Sequence, residues 1–99
     1  GYIYEVDEDV DARAKREIDE KLAQTYLPRV PEDVKLTIAM RIGQAGQKIL
    51  EYAAEQDIDL IIIGRQGTGT VGKIFFGNVS ELVVRKAQCP VMVIPPPTY

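Results

Sequence analysis

The sequence contains no histidine and a single cysteine, Cys89, among its 99 residues. Without histidine, the chain cannot build a Ser-His-Asp triad, a Cys-His pair or a histidine-ligated metal site. One cysteine also excludes a disulfide framework and a cysteine-rich zinc site. No apolar run reaches the ~20 residues that span a bilayer, and no stretch has the pattern of a signal peptide. We therefore expect a cytoplasmic protein without a membrane partner.

The sequence also has no excess of positive charge. It contains 12 Lys and Arg residues and 15 Asp and Glu residues, which gives a net charge of −3. A broad nucleic-acid surface needs a basic face, so we expect no nucleic-acid partner. A local anion site stays possible, since backbone N–H groups and a few cations suffice to build one. The length and the plentiful aliphatic residues predict a single domain over residues 1–99.

The apolar patterning predicts four strands that alternate with three helices. The strands are expected at residues 2–6, 34–42, 60–63 and 91–94, and the helices at 10–26, 45–56 and 79–87. Asp7 or Asp9 is expected to cap the first helix. The run at 60–63 is typical of a strand covered on both faces. This order predicts an α/β fold with an open, mainly parallel sheet and helices on both faces.

The glycine-rich segment 64–77 joins the third strand to the last helix, where ligands bind in open α/β sheets. Two familiar motifs fit only in part. Gly67–Gly72 matches G-x-G-x-x-G, but no acidic residue ends the next strand. Gly67–Lys73 matches the P-loop core, but Ile74 stands where magnesium binding needs Ser or Thr. Both interpretations are therefore weak, and a purely structural role for the glycines stays open.

In a third interpretation, the last helix begins at Asn78, which forms a capping box with Glu81. Phosphates would then lie between two glycine clusters, one at the strand end with Gly64 and Gly67, and one at the helix start with Gly77. Free N–H groups of the first helical turn would face these phosphates.

Residues 59–94 resemble the carboxyl-terminal half of a universal stress protein. Nucleotide-binding members of that family carry G-x-x-G, nine further residues, and then Gly followed by Ser or Thr. Gly64, Gly67 and Gly77 match this spacing, whereas Asn78 replaces the Ser or Thr. Upstream the resemblance is weaker: Gly43-Gln44-Ala45 stands where the family usually has Gly-x-Pro, and residues 2–7 resemble its second strand.

The resemblance implies that the protein binds ATP, or ADP or AMP, with Mg²⁺ or Mn²⁺ held through the phosphates. Val6 and Ile63 would lie near the base, Gly64 and Gly67 would line the ribose and phosphates, and the start of the last helix would hold the phosphates. The implied site consists of Val6, Ile63, Gly64, Arg65, Gln66, Gly67, Gly77, Asn78, Val79 and Ser80. No general base or nucleophile stands out, so hydrolysis is expected to be slow at most.

The resemblance also implies a sheet of the adenine nucleotide alpha hydrolase type, with strand order 3-2-1-4-5. This sequence matches that fold from its second strand onward, so we expect the family's first strand and helix, ~35 residues, to be absent from the chain (cf. domain sizes). Val91–Ile94 would be an edge strand through which a homodimer forms, unless Pro95, Pro96 and Pro97 block the pairing. Two rival interpretations remain: an interaction module with an empty cleft, and a phosphotransfer or adenylate-transfer enzyme.

Overall fold

A computed structural model describes residues 2–64 and 78–95 of the chain. These residues fall into two compact units, of which the first ends at Ile42 and the second begins at Gly43. Within the described ranges, four parallel strands and three α-helices alternate, which confirms the predicted α/β class. The single domain over residues 1–99 stays a prediction.

The first unit is a strand-helix-strand unit with parallel strands. Ile3 lies opposite Thr37 and Val6 opposite Met40, so the two strands end at the same edge. The elements are β1 (Ile3–Val6), α1 (Ala12–Lys21), a π-helical turn (Leu22–Tyr26), a 3₁₀ turn (Leu27–Arg29) and β2 (Thr37–Met40). The second strand is thus shorter than the predicted range of 34–42.

The start of α1 differs from the prediction, because Asp11 caps the helix instead of Asp7 or Asp9. The backbone of Asp7 is already engaged at the end of β1. Its N–H donates to the Met40 carbonyl at 2.9 Å, and its own carbonyl accepts from the Val10 N–H at 3.1 Å. This turn uses up the residues after the strand, so the helix begins later in the chain.

In the first helical segment, Val10, Ala14, Ile18, Leu22 and Tyr26 recur every four residues, a spacing that predicts one apolar face on a single helix. The structure differs from this prediction, because α1 ends at Lys21 and Leu22–Tyr26 form a π-helical turn. Ile18 is 41% exposed and Tyr26 is 51% exposed. A π-helical turn has a different number of residues from an α-helical turn, so a spacing of four no longer keeps side chains aligned.

The second unit has two further parallel strands and two helices. Ile61 lies opposite Val91, and Gly64 lies opposite Ile94. The elements are α2 (Ala45–Glu55), β3 (Ile61–Gly64), α3 (Asn78–Lys86) and β4 (Val91–Ile94). The range of α2 agrees with the prediction to within one residue. Helix α3 begins one residue earlier than the predicted 79–87, so Asn78 is its first helical residue instead of the N-cap expected from the capping box.

Burial on the β3–β4 pair alternates along the strands and thereby corrects one prediction. Ile61 is 8% exposed, whereas Ile62 is 62% exposed and Met92, its neighbour on β4, is 49% exposed. Among the described residues, β3 is therefore covered on one face only, which contradicts the expectation that both faces are covered. A continuous apolar run does not by itself tell how many layers lie against a strand.

The strand pairs agree with the order expected for the family. The order 3-2-1-4-5 makes neighbours of its second and third strands and of its fourth and fifth, which correspond to β1–β2 and to β3–β4. The described strands form two sheets of two parallel strands each, in agreement with the predicted fold class. No described residue forms a strand that corresponds to the family's first. None of the helices in the described ranges is long and apolar enough to cross a membrane.

Candidate functional site

The carboxyl edge of the β3–β4 pair receives the amino terminus of a helix. Since β3 and β4 are parallel, α3 has to run back from the edge where β3 ends to the edge where β4 begins. The first turn of α3, which begins at Asn78, therefore lies at the edge where β3 ends with Gly64. Unpaired N–H groups and the positive end of the helix dipole make this edge suited to an anion.

Gly64 faces open space at this edge. A β-carbon built on Gly64 would meet no atom within 4 Å in the part of the chain that the structure describes. Its φ angle also lies outside the positive range, in contrast to that of Gly43. Neither packing nor backbone conformation among the described residues therefore requires glycine here.

The other predicted site residues of the second unit differ in accessibility. At the start of α3, Asn78 is exposed and Val79 is half-buried, while Ser80 is only 3% exposed. Ile63 is half-buried next to Gly64. Asn78 thus offers an accessible amide that can donate a hydrogen bond, whereas Ser80 can act only on a ligand that reaches a buried position. Four predicted site residues lie outside the described residues: Arg65, Gln66, Gly67 and Gly77.

Val6, the remaining predicted residue, lies at the carboxyl end of β1 in the first unit, opposite Met40. It lines an open cleft of about 310 Å³ together with Glu5, Asp7, Glu8 and Arg41. Carboxyl ends of parallel strands are common ligand positions. The cleft agrees with a binding role for this strand end, and the contact of Val6 with a base stays a prediction.

The charged side chains of this cleft were not singled out from the sequence. Arg41 Nη2 lies 3.8 Å from Glu5 Oε2, and Asp7 Oδ2 accepts a hydrogen bond from the Ile42 N–H at 3.4 Å. The available signal was positional: Asp7 follows β1 as Arg41 follows β2, and parallel strands bring such residues to one edge. In the described ranges, no group of three or more acidic or cysteine side chains could hold a metal ion.

A polar cluster in the first unit joins β1 to α1. The Tyr4 hydroxyl donates a hydrogen bond to Asp19 Oδ1, and Lys15 Nζ lies 2.8 Å from Asp19 Oδ2. Lys15 Nζ also lies 5.0 Å from the centre of the Tyr4 ring. The hydrogen bond to Asp19 raises the pKa of Tyr4 to about 12. Hydrogen bonds from Lys15 and Tyr4 lower the pKa of Asp19.

The roles of these three residues are accordingly structural. Lys15 and Asp19 are four residues apart on α1, which is the spacing of a helical ion pair. The charged residues of this helical segment predict a solvated face, and they are Arg13, Lys15, Arg16, Glu17, Glu20 and Lys21. Lys15 departs from this prediction, because it is half-buried. Perturbed pKa values occur in ion-pair networks as well as in active sites.

A larger cleft, of about 600 Å³, lies at the opposite edge of the second unit. Its wall includes Leu50 and Ile58 near the end of α2, and Lys86 and Cys89 near the end of α3. Cys89 is half-buried. This cleft lies where the strands begin, so the predicted phosphate site and this cleft are on different edges.

Comparison with known proteins gives one consistent result. A family model described as the universal stress protein family matches residues 2–95. A universal stress protein of Thermus aquaticus is 38% identical over 82 residues, which cover 83% of this chain and 56% of the relative. One from Synechocystis is 32% identical over 72 residues, which cover 72% of this chain and 47% of the relative.

A third relative, from Methanocaldococcus jannaschii, is 36% identical over 64 residues, which cover 65% of this chain and 38% of the relative. The chain thus spans about half the length, or less, of these curated relatives. The family match extends over both units and includes the resemblance at residues 59–94. The chain belongs to the universal stress protein family.

Proposed function

We propose that this protein binds an adenine nucleotide, ATP or else ADP or AMP, and acts as a nucleotide-responsive regulatory protein of the stress response. The observation that carries the proposal is that no described residue approaches the β-carbon position of Gly64, where β3 ends. Close approach of a ligand to the backbone favours glycine, and neither the packing of the described residues nor the φ angle gives another reason for a glycine at this position. The first turn of α3 supplies the N–H groups for the phosphates.

The charge on the nucleotide determines how the site would hold it. ATP carries a highly charged triphosphate, and the positive end of the α3 dipole stabilises negative charge within the first turn. The exposed Asn78 amide adds a donor at the same place. Mg²⁺ or Mn²⁺ would be coordinated mainly by phosphate oxygens, as is usual for Mg²⁺ with nucleotides. Binding, rather than turnover, would be the regulatory event, in a cytoplasmic setting.

A size series at Gly64 tests the proposal. ATP binding to wild type, Gly64→Ala, Gly64→Val and Gly64→Leu is measured by titration calorimetry, and melting temperature is recorded for each. We expect affinity to fall as the side chain grows, by at least about tenfold at valine, with Tm within about 3 °C of wild type. Thr37→Val keeps a β-branched side chain at an exposed strand position of the first unit and should leave ATP affinity unchanged. Wild-type protein without measurable ATP affinity would overturn the proposal.

A second candidate function is an interaction module without nucleotide that forms a homodimer through β4. It is favoured by the exposure of Met92 at 49% and Ile94 at 46%. Among the described strands, β4 pairs only with β3, and an apolar edge strand invites pairing with another chain. Sedimentation at several concentrations, with Met92→Lys as the variant, tests this interface. This candidate would be favoured if wild type forms a dimer that Met92→Lys abolishes, and if ATP does not change the Tm of the wild-type protein.

A further inference from the structure

Helices α2 and α3 approach each other closely at Gly46. This glycine is buried in α2, and a β-carbon built on it would lie 2.8 Å from Leu82 Cδ2 and 3.5 Å from Leu82 Cβ and Cγ. Ordinary van der Waals contact begins at 3.4 Å, so even one methyl group requires a shift. Gly46 does not have a positive φ angle, hence its role is to permit contact rather than to form a turn.

The position of this contact along the helices matters. Gly46 is the second residue of α2, and Leu82 is the fifth residue of α3. The contact therefore joins the first turn of α2 to the middle of α3, one turn beyond the residues of α3 that present unpaired N–H groups. Ser80 at 3% exposure and Val83 at 0% exposure pack the same stretch of α3. The start of α3 is thus held in place by buried contacts, and Gly46 sets the distance on one side.

We propose that Gly46 is a positioning residue for the phosphate-binding turn of α3. This inference rests on the proposed nucleotide binding, and it assigns a role in that binding to a residue that does not touch the nucleotide itself. Gly46 acts through Leu82: because it has no side chain, α2 holds α3 at the separation that directs the first-turn N–H groups toward the phosphates. The base and ribose do not depend on this separation in the same way, since Ile63 and Gly64 belong to β3.

Gly46→Ala has two ways to relieve the contact with Leu82. Either the Leu82 side chain rotates, or α3 moves outward until the distance grows from 2.8 Å to at least 3.4 Å. Leu82 Cδ2 is the end of a flexible side chain and can rotate away, whereas Leu82 Cβ and Cγ, both at 3.5 Å, keep the two helices near the lower limit of ordinary contact. A displaced α3 carries its N–H groups with it, and hydrogen bonds weaken steeply as distance and angle depart from their optimum.

The test measures affinities for ATP and for adenosine, which lacks phosphates, in a double-mutant cycle of Gly46→Ala and Leu82→Ala. We expect Gly46→Ala to weaken ATP binding about tenfold and to leave adenosine binding within about twofold. The pair of substitutions restores room for the new methyl group and should recover ATP affinity to within about threefold. If Gly46→Ala does not fold, Leu82→Ala replaces it, since the lost contact should also weaken ATP more than adenosine.

Ala54→Gly serves as a matched control on α2. It lowers the melting temperature through helix propensity alone, at an exposed position, and should leave both affinities unchanged. A wild-type protein that binds no ATP would overturn the proposed function itself. A wild-type protein that binds ATP, with a Gly46→Ala variant that binds it equally well or loses ATP and adenosine equally, would overturn only the role of Gly46.

Discussion

The two units share the strand-helix-strand pattern and differ in what holds them together. In the second unit, Gly46, Ile61, Ser80 and Val83 are buried, whereas no described residue of the first unit falls below the same exposure. The first unit is instead joined by the cluster around Tyr4. Apolar burial stabilises more than exposed polar contacts do. The comparison indicates that the second unit has the firmer framework, and it is the unit with the proposed phosphate site.

The largest expected effect comes from the core of the second unit. Val83→Ala removes part of a side chain with 0% exposure and should reduce the free energy of unfolding by about 2 kcal/mol. Val84→Ala, at 49% exposure on the same helix, should change it by less than about 0.5 kcal/mol. Urea denaturation measures both. Equal effects of the two substitutions would contradict the assignment of the core.

A second prediction contrasts two glycines of the second unit. Gly43 has φ +143°, and a β-carbon there would lie 2.6 Å from Lys48 Cε. Gly43→Ala should therefore cost about 1–3 kcal/mol through backbone strain. Gly64→Ala, in open space and without a positive φ, should stay within about 0.5 kcal/mol of wild type. Urea denaturation measures the free energy of unfolding of both variants. A Gly43→Ala variant as stable as wild type would contradict the backbone strain inferred at Gly43.

The smallest effect concerns the polar cluster of the first unit. The pKa of Tyr4 is raised from 10.0 to about 12 by its hydrogen bond to Asp19, so the protonated phenol stabilises the fold. That contribution is fully present below pH 10 and is lost as the pH rises through about 12. The lowered pKa of Asp19 affects stability at low pH. The ionised Asp19 carboxylate stabilises the fold above the ordinary pKa of 3.8, and this contribution is lost as the pH falls through the lowered pKa.

Tyrosinate absorbance during an alkaline titration measures the Tyr4 ionisation directly. The wild-type protein should show a tyrosine that ionises near pH 12, and this component should be missing in Tyr4→Phe. Asp19→Asn should move it back toward pH 10, while Asp9→Asn should leave it in place. If Tyr4 ionised at the same pH in wild type and in Asp19→Asn, that result would contradict the cluster described for the first unit.

Local signals predicted the elements well, and long-range packing explains what they missed. The alternation of strands and helices and, to within one residue, the range of α2 and the start of α3 follow from the periodicity of residues close in sequence. The cap at Asp11 was missed because the backbone of Asp7 is used across the strand pair. The exposure of Ile62 was missed because an apolar run does not reveal how many layers cover it.

The candidate site divides in the same way. The glycine spacing and the family resemblance predicted Gly64 and Asn78, which the structure places at the end of β3 and the start of α3. Nothing in the sequence singled out Gly46, since its contact partner Leu82 is 36 positions away and only the packing of two helices brings them together. Arg41 was missed for a similar reason, because the pairing of β1 with β2 creates its cleft.

Backbone amide NMR during titration with ATP tests the central claim most directly. The account predicts that amide shifts concentrate at the carboxyl edge of the second unit, at Gly64 and in the first turn of α3 from Asn78 to Ser80. Adenosine should produce smaller shifts in that turn, because it has no phosphates for the N–H groups to bind. Shifts confined to the opposite cleft near Cys89, or no shifts at saturating ATP, would contradict the account.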